Sequence, residues 1–425
     1  MSIFRCASCY STDMNATQLK KIFLMFLTSG ICTTSFSQGY QVNFQGQKQQ
    51  GMASAGTALP QDASTVFFNP GAASFLEKGS IEIAMTPVFG NTLFEEDSTG
   101  VTGRTNSPMG KPFSVYALLR NKKVEALSYG IGIYTPFGST IQYEDGWVGR
   151  FALTRLELMS IFVQPTISYQ LNDKLGIGAG FVYCIGKVNL QKDIPVIDQN
   201  GEYSHAELSA SASGMGVNAG VYFKASEILS FGLTYRSKVT MGVADGTAEF
   251  TVPEALAPNF PNGSFSSELP LPQVITLGAA FMTNENLSIA ADINYIGWSA
   301  YDTLAFDYVN NTESLEDTRS ARNYENTFAF RLGGQYKVSD LLSVRLGLAY
   351  GMTPVQNGYV TPETPDADRI SYTGGLSLNL HEHFDIDLSL LYTHVERWDH
   401  NLETNLTGKY TTNVVAPGFA LRYKF

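Results

Sequence analysis

Charge is what this sequence has least of. Asp, Glu, Lys and Arg make up 16% of its 425 residues, against roughly 25% in ordinary soluble domains. The charge present leans acidic, with a formal net charge of −11. That argues against nucleic acid as a partner, because phosphate binding needs a basic surface. Beyond the first forty residues no run of apolar residues is long enough for a transmembrane helix. No nucleotide-binding loop and no Gly-x-Ser-x-Gly elbow occurs, so neither an energy-coupled pump nor a serine hydrolase has local support. No enzyme activity and no cofactor is expected.

Cysteine is scarce and mostly lost on processing. Lys20-Lys21, the short apolar run at residues 22–31, and Ser35 and Ser37 at the −3 and −1 positions of a cleavage site form a secretion signal. Residues 1–37 are the expected signal region, with Met14 an alternative start and Gln38 the mature N-terminus. Cys32 does not suit a lipoprotein site, because Ile31 precedes it where Gly or Ala is needed. Cys6-Ala-Ser-Cys9 has the spacing of a redox or zinc half-site, but no second half follows and cleavage would remove it. Only Cys184 remains, which excludes an internal disulfide and a cysteine metal site.

What is abundant is glycine (39), tyrosine (22) and phenylalanine (27), arranged in alternation of period two, the strand signal. About fourteen such segments are expected, an even number in the outer-membrane range. They lie near residues 80–89, 112–119, 127–135, 158–169, 175–190, 206–223, 228–244, 270–281, 287–306, 327–336, 341–351, 370–380, 384–397 and 412–425. From the second strand on, short turns (121–124, 172–173, 224–226, 284–285, 339–340, 381–383) alternate with long loops (136–157, 191–205, 245–269, 307–326, 352–369, 398–410), and another long loop, 90–111, precedes that strand. Short turns on one side and long loops on the other are the habit of bacterial outer-membrane barrels, with both termini on the periplasmic side.

The two faces differ as lipid requires. Leu175, Ile177, Ala179, Phe181 and Tyr183 share one parity and Gly176, Gly178 and Gly180 the other; Phe384, Ile386, Leu388, Leu390 and Tyr392 alternate with Asp385, Asp387 and Ser389. The charged parity must face a lumen. Tyr169, Phe223, Phe281 and Tyr336 fall near short turns, as an interfacial aromatic girdle would. The chain closes on Phe419, Leu421, Tyr423 and Phe425, similar to the terminal signal read by the barrel-assembly machinery. A sheet in lipid must close on itself, since an open edge leaves backbone groups unpaired. The fold class is therefore all-β, a membrane β-barrel of about fourteen antiparallel strands spanning 79–425. Residues 38–78 form a small N-terminal plug, or hatch. Its stretch 62–75 is small and apolar and contains Asn69-Pro70-Gly71, a turn that cannot extend a strand.

Several short motifs recur in an order and spacing that resemble the FadL-type outer-membrane transporters of long-chain fatty acids and other hydrophobic compounds. They are Gly51-Met-Ala-Ser-Ala-Gly56, Asp62-Ala-Ser-Thr, Asn69-Pro70-Gly71-Ala72, Thr135-Pro136-Phe137-Gly138, Trp147-Val-Gly149-Arg150, Tyr235-Arg236-Ser237-Lys238, Trp298-Ser299 with Asp302, and Pro365-Asp366-Ala367-Asp368-Arg369. The resemblance covers most of the mature chain. Gly71 departs from it, standing where the family's turn carries Ala.

The resemblance implies passive import by capture at the loops and sideways release through a kinked wall strand. Gly130, Gly132 and Pro136 would permit the kink; ordinary packing of those glycines against the plug is the alternative. Asp62, Asn69, Pro70, Gly71 and Ala72 would form the gate. Ligand-binding candidates are Trp147, Arg150, Phe151, Arg155, Arg236 and Lys238, with a basic residue for a carboxylate headgroup. Arg150 and Arg236 would otherwise pair with lumen acids, and Trp147 and Phe151 would brace a loop. Asp366, Asp368 and Arg369 are expected to tie a loop to the rim through ion pairs and turn bonds. The spacing His381-Glu382-His383 reads as a solvated turn rather than a metal site. Expected partners are fatty acids or hydrocarbons, outer-membrane lipids and the assembly machinery, around a monomer in the outer membrane of a Gram-negative bacterium. A general porin, a surface-loop adhesin and a membrane lipid hydrolase are the alternatives; a polar pore would have no use for the apolar run 66–75.

Overall fold

The computed structural model describes residues 39–283 and 286–425. The signal region with Met14, Cys6, Cys9, Cys32 and Gln38, and the turn at residues 284–285, lie outside the described residues.

Strands follow one another as β1 (Ser80–Met85), β2 (Phe89–Glu96), β3 (Thr102–Arg104), β4 (Phe113–Arg120), β5 (Leu127–Tyr134), β6 (Gly138–Gln142), β7 (Arg155–Gln170), β8 (Leu175–Ile197), β9 (Tyr203–Lys224), β10 (Leu229–Arg236), β11 (Val239–Thr251), β12 (Gly263–Leu271), β13 (Val274–Met282), β14 (Leu287–Ile296), β15 (Thr303–Tyr308), β16 (Thr318–Ala321), β17 (Thr327–Lys337), β18 (Leu342–Gly351), β19 (Arg369–His381), β20 (Phe384–His400) and β21 (Thr407–Lys424). Fourteen of them close a ring of antiparallel neighbours, β1-β4-β5-β7-β8-β9-β10-β13-β14-β17-β18-β19-β20-β21. β21 returns to β1 in the register Ser80↔Lys424 to Met85↔Phe419. Closure satisfies the edge that lipid would leave unpaired.

The loop side is more ordered than the sequence suggests. β2, β3, β6, β12 and β16 occupy stretches expected as loop, and the expected strand 287–306 is broken by a 3-10 turn at Trp298–Ala300. The pairings β2–β21, β6–β7, β11–β9, β11–β12, β12–β15 and β15–β16 carry the wall upward past the ring. Above the lipid a strand still has to pair its backbone, but its outer face meets water and loses the apolar alternation that marks strands in sequence.

The faces sort by parity. On β20, Phe384, Leu388, Leu390 and Tyr392 are exposed while Asp385, Asp387 and Ser389 are buried. Tyr169, Phe223, Phe281, Tyr336 and the terminal Phe419, Leu421, Tyr423 and Phe425 all point outward.

Residues 39–79 precede the ring strands and carry two short helices, α1 (Gln47–Gln50) and α2 (Thr65–Phe68). Their hydrogen bonds reach the wall all round. Asp292 on β14 accepts from the backbone N–H groups of Gly56 and Thr57. Arg331 on β17 donates to the Ala53 carbonyl, Ser230 on β10 to Ala58, Asn218 on β9 to Phe67 and Gln164 on β7 to Val66. Met52, Ala55, Ala58, Val66, Ala72 and Ala73 are fully or almost fully buried. The segment has no sheet of its own, so wall side chains supply the partners its backbone needs.

Candidate functional site

β5 stops at Tyr134 because its next residues cannot continue the ladder. Thr135 pairs with β4 through its side chain: Oγ1 accepts from Phe113 N at 3.1 Å and lies 3.3 Å from Phe113 O. Pro136 has no N–H to give. β6 resumes at Gly138 but pairs on one side only, with β7. The other side closes again at Gln142, whose N–H meets Ser107 Oγ at 3.0 Å and whose carbonyl accepts from Asn106 at 2.7 Å. Between these closures, residues 107–112 and 137–141 face each other without a ladder among the described residues. The N-terminal segment takes part of the free edge from inside: Val42 N donates to Pro136 O (2.8 Å) and Gly138 N to Tyr40 O (3.0 Å).

A cavity of about 610 Å³ adjoins this break. Both borders line it, through Met109, Gly110, Lys111, Pro112, Phe137, Gly138 and Ile141. Val42, Val88, Leu158, Leu391, Val395 and Val414 add apolar wall, and Arg155, Glu157, Arg331, Glu363, Asp366 and Arg369 add charge. The cavity is therefore amphipathic, with its cations set among aliphatic side chains.

The sequence candidates divide. Arg155 lines the cavity, half-exposed and 3.1 Å from Glu157. Trp147, Arg150 and Phe151 do not line it. Trp147 is buried, stacks on Tyr143 at 3.8 Å and donates Nε1 to the Leu153 carbonyl. The Arg150 guanidinium lies over the Phe151 and Tyr203 rings at 4.8 and 4.7 Å and donates to the carbonyls of Gly146 and Trp147. Arg236 sits 4.3 Å over the Phe67 ring and donates to the Phe67 carbonyl. The partners of Arg150 and Arg236 are thus aromatic faces and carbonyls, not the lumen acids weighed from sequence. Lys238 is exposed at the bend between β10 and β11.

Of the three rim residues, two act as turn acceptors. Asp366 Oδ2 accepts from Gly39 N at 2.8 Å and Thr353 Oγ1 at 2.9 Å, and Asp368 Oδ1 accepts from Thr353 N at 2.7 Å. Burial pushes the Asp366 carboxyl up to about 7, against the pull of Arg369. Arg369 itself lines the cavity and makes no ion pair within 4 Å among the described residues, which differs from its expected rim role. The loop 352–368 is pinned over the mouth: Asp399 accepts from Gly358 and Val360 N–H, Arg322 meets Glu363 at 2.8 Å, and Tyr143 donates to the Pro362 carbonyl.

The residues expected to form the gate are each held by several partners. Asp62 meets Arg422 at 3.0 Å. Asn69 donates to the carbonyls of Thr57 and Val221, and its Oδ1 accepts from Gly71 N. Pro70 and Ala72 are fully buried or nearly so. A Cβ on Gly130 would lie 2.4 Å from Val66, so that glycine serves packing against the N-terminal segment while the break itself falls at Thr135 and Pro136. The sequence reading missed Arg331, although its parity between the outward Phe330 and Leu332 carried the signal.

Comparison with known proteins gives one consistent picture. A family model described as outer membrane protein transport protein (OMPP1/FadL/TodX) matches residues 28–425. A putative outer membrane protein of Neisseria meningitidis serogroup B, NMB0088, is 26% identical over 92% of this chain and 93% of its own. The long-chain fatty acid transport protein of Escherichia coli K12 is 21% identical over 89% and 92%. A FadL homologue of Pseudomonas aeruginosa superposes with a TM-score of 0.78 at 20% identity, covering 91% of this chain and 99% of its own. The Pseudomonas putida toluene transporter TodX gives 0.68 at 14%, covering 91% and 98%.

Proposed function

The chain belongs to the OMPP1/FadL/TodX family of outer membrane transport proteins, which are transporters of hydrophobic compounds rather than enzymes, and from that premise we propose that it imports long-chain fatty acids. The observation that carries this reading is the amphipathic cavity set against a break in the wall. A neutral hydrocarbon needs only the aliphatic lining. A fatty acid also needs a cation for its carboxylate, and Arg369, without an ion pair in the cavity among the described residues, supplies one. Arg331 and Arg155 stand in the same lining.

The route follows from the energetics. Burying one methylene gains about 0.8 kcal/mol, so a sixteen-carbon tail prefers an apolar site to water by roughly 12 kcal/mol. Release downward into water would be slow. Release sideways into lipid keeps the tail in an apolar medium throughout, and no energy source is required. The gap between residues 107–112 and 137–141 supports that exit. The segment 39–78 acts as the plug, and its strand-like residues at the free edge of β6 close the gap until ligand arrives.

The test pairs two measurements on one protein. Uptake of a long-chain fatty acid is followed in cells whose own transporter is deleted, and binding of the same ligand is measured on the purified barrel. Uptake and binding of the fatty acid, with toluene much weaker in both, support the reading. Equal handling of the two ligands would remove the carboxylate from it.

A further inference from the structure

The cavity beside the break passes through the wall. Its lining begins in the lumen, at the buried side chains of Arg331 and Thr373, and ends at Met109, Lys111 and Met159, which are exposed. Met159 follows the buried Leu158 on β7 and so faces outward. Lys111 is the cation at the outer lip of the opening. Arg155, on the β7 side, is already matched by Glu157 at 3.1 Å. Lys111 makes no ion pair within 4 Å among the described residues.

The backbone of Lys111 is open in the same direction. Gly110 exchanges both its hydrogen bonds with Val88, at 2.9 and 3.0 Å, and Thr86 donates to the Pro112 carbonyl at 3.0 Å. In an antiparallel ladder the intervening residue turns its N–H and carbonyl to the other side, which here is the gap facing residues 137–141. The Lys111 N–H finds no acceptor there among the described residues. One residue thus brings two donors without a protein partner, an ammonium and an amide, to the place where the ladder is missing.

Lys111 also stands at the edge of the lipid-facing band. Phe89, Val415 and Tyr392 lie opposite one another on β2, β21 and β20, and all three are exposed. Two residues further along, the same face carries Asn91, Asn413 and His394. The apolar band therefore ends at this row, and Lys111, held between Thr86 and Val88, borders it. A fatty acid that has left sideways keeps its tail in hydrocarbon and its carboxylate at this boundary, because a buried charge without a partner is costly.

We propose that Lys111 is an exit-side headgroup subsite, which takes the fatty acid carboxylate from the lumen cations and draws it through the break to the headgroup level of the loop-side leaflet. The subsite rests on fatty acid import and adds to it a cation on the far side of the wall. Met109, Gly138, Ile141 and Met159 give a carboxylate in the opening no side-chain donor. Arg369 on the inward parity of β19 and Lys111 at the lip supply one at each end of the crossing. Capture depends on the cavity; Lys111 acts on the step of leaving.

The experiment uses the full chain with Lys111→Gln, Lys111→Glu and Lys111→Arg. Binding of hexadecanoic acid to each purified barrel is measured by titration calorimetry. Uptake of the same acid at saturating concentration is followed in cells whose own transporter is deleted, with hexadecanol as the uncharged probe. Lys111→Gln keeps the wild-type affinity within about twofold and takes up the acid roughly two- to fivefold more slowly, the scale of one exposed charge pair. Lys111→Glu is slower still, and Lys111→Arg matches the wild type. Hexadecanol uptake is the same in the wild type and the variants. Unchanged acid uptake in both Lys111→Gln and Lys111→Glu overturns the subsite. So does a loss shared equally by acid and alcohol, which makes Lys111 an interfacial anchor only, or a weakened binding that accounts for the whole loss of uptake. Failure of the wild type itself to bind or take up the acid would overturn the fatty acid reading, and the subsite with it.

Discussion

Gly71 approaches the inner wall so closely that a Cβ on it would lie 2.6 Å from the carbonyl oxygen of Gly220 and 2.8 Å from that of Gly176. Both obstacles are backbone and cannot swing away. This accounts for glycine at a position where the family resemblance implies alanine: its lack of a Cβ lets Asn69-Pro70-Gly71 seat directly on β8 and β9. Gly71→Ala should therefore destabilise the seated segment by about 1–3 kcal/mol, the usual cost of overpacking. Hydrogen exchange at residues 65–75 should rise while the heat-resistant mobility of the barrel in detergent is kept. Unchanged exchange would mean that the wall gives way.

Arg369 should decide between ligand classes. Arg369→Ala removes a cavity cation while leaving the aliphatic lining, and a charged hydrogen bond is worth about 1.5–3 kcal/mol. Fatty acid affinity should fall roughly ten- to hundredfold and toluene affinity should hardly move. Arg150→Ala, whose guanidinium lies over Phe151 and Tyr203 away from the cavity, should affect neither. Titration calorimetry on the purified protein reads all three, and an equal loss for both ligands in Arg369→Ala would show a packing role.

The break at Thr135 and Pro136 should govern exit rather than capture. Pro136→Thr restores a backbone N–H and allows β5 to run on into β6, closing the gap beside residues 107–112. Fatty acid uptake should drop severalfold while binding by the purified protein is retained. Loss of both together would place the defect in the cavity.

Asp366 should make the mouth sensitive to pH. Its carboxyl stands at about 7 in the folded chain and near 3.9 when unfolded. Stability from this group is complete below about pH 4 and is lost as pH rises through about 7. Asp366→Asn keeps an acceptor oxygen for Gly39 and Thr353 but cannot ionise, so it should flatten that slope. Proteolysis of the loop 352–368 across this range is the measurement; parallel slopes in both proteins would exclude Asp366 as the source.

Removing the seated stretch itself is the bluntest check on its role. Deletion of residues 62–75 strands Gln164, Asn218 and Arg422, which now bond to Val66, Phe67 and Asp62. The ring pairs without these residues, so the barrel should remain folded in detergent at reduced stability. Uptake should change; uptake and binding both equal to the wild type would end the plug reading.

Alternation along Leu175 to Tyr183 and Phe384 to Tyr392 determined the barrel by itself, because lipid on one face and a lumen on the other impose a period of two on every stave. Turn length determined which end is which. Parity even marked Asp385 and Asp387 as lumen residues. The binding candidates were another matter. Arg150 and Arg369 both sit in family-like motifs and are alike as sequence, yet one lies over two rings in a loop and the other faces the cavity. Which lumen cation makes no ion pair within 4 Å among the described residues, and which three carboxylates share Arg422 Nη2, depends on residues from distant strands and the N-terminal segment meeting at one height in the barrel. That meeting is a matter of register and closure across hundreds of residues, and no local pattern encodes it.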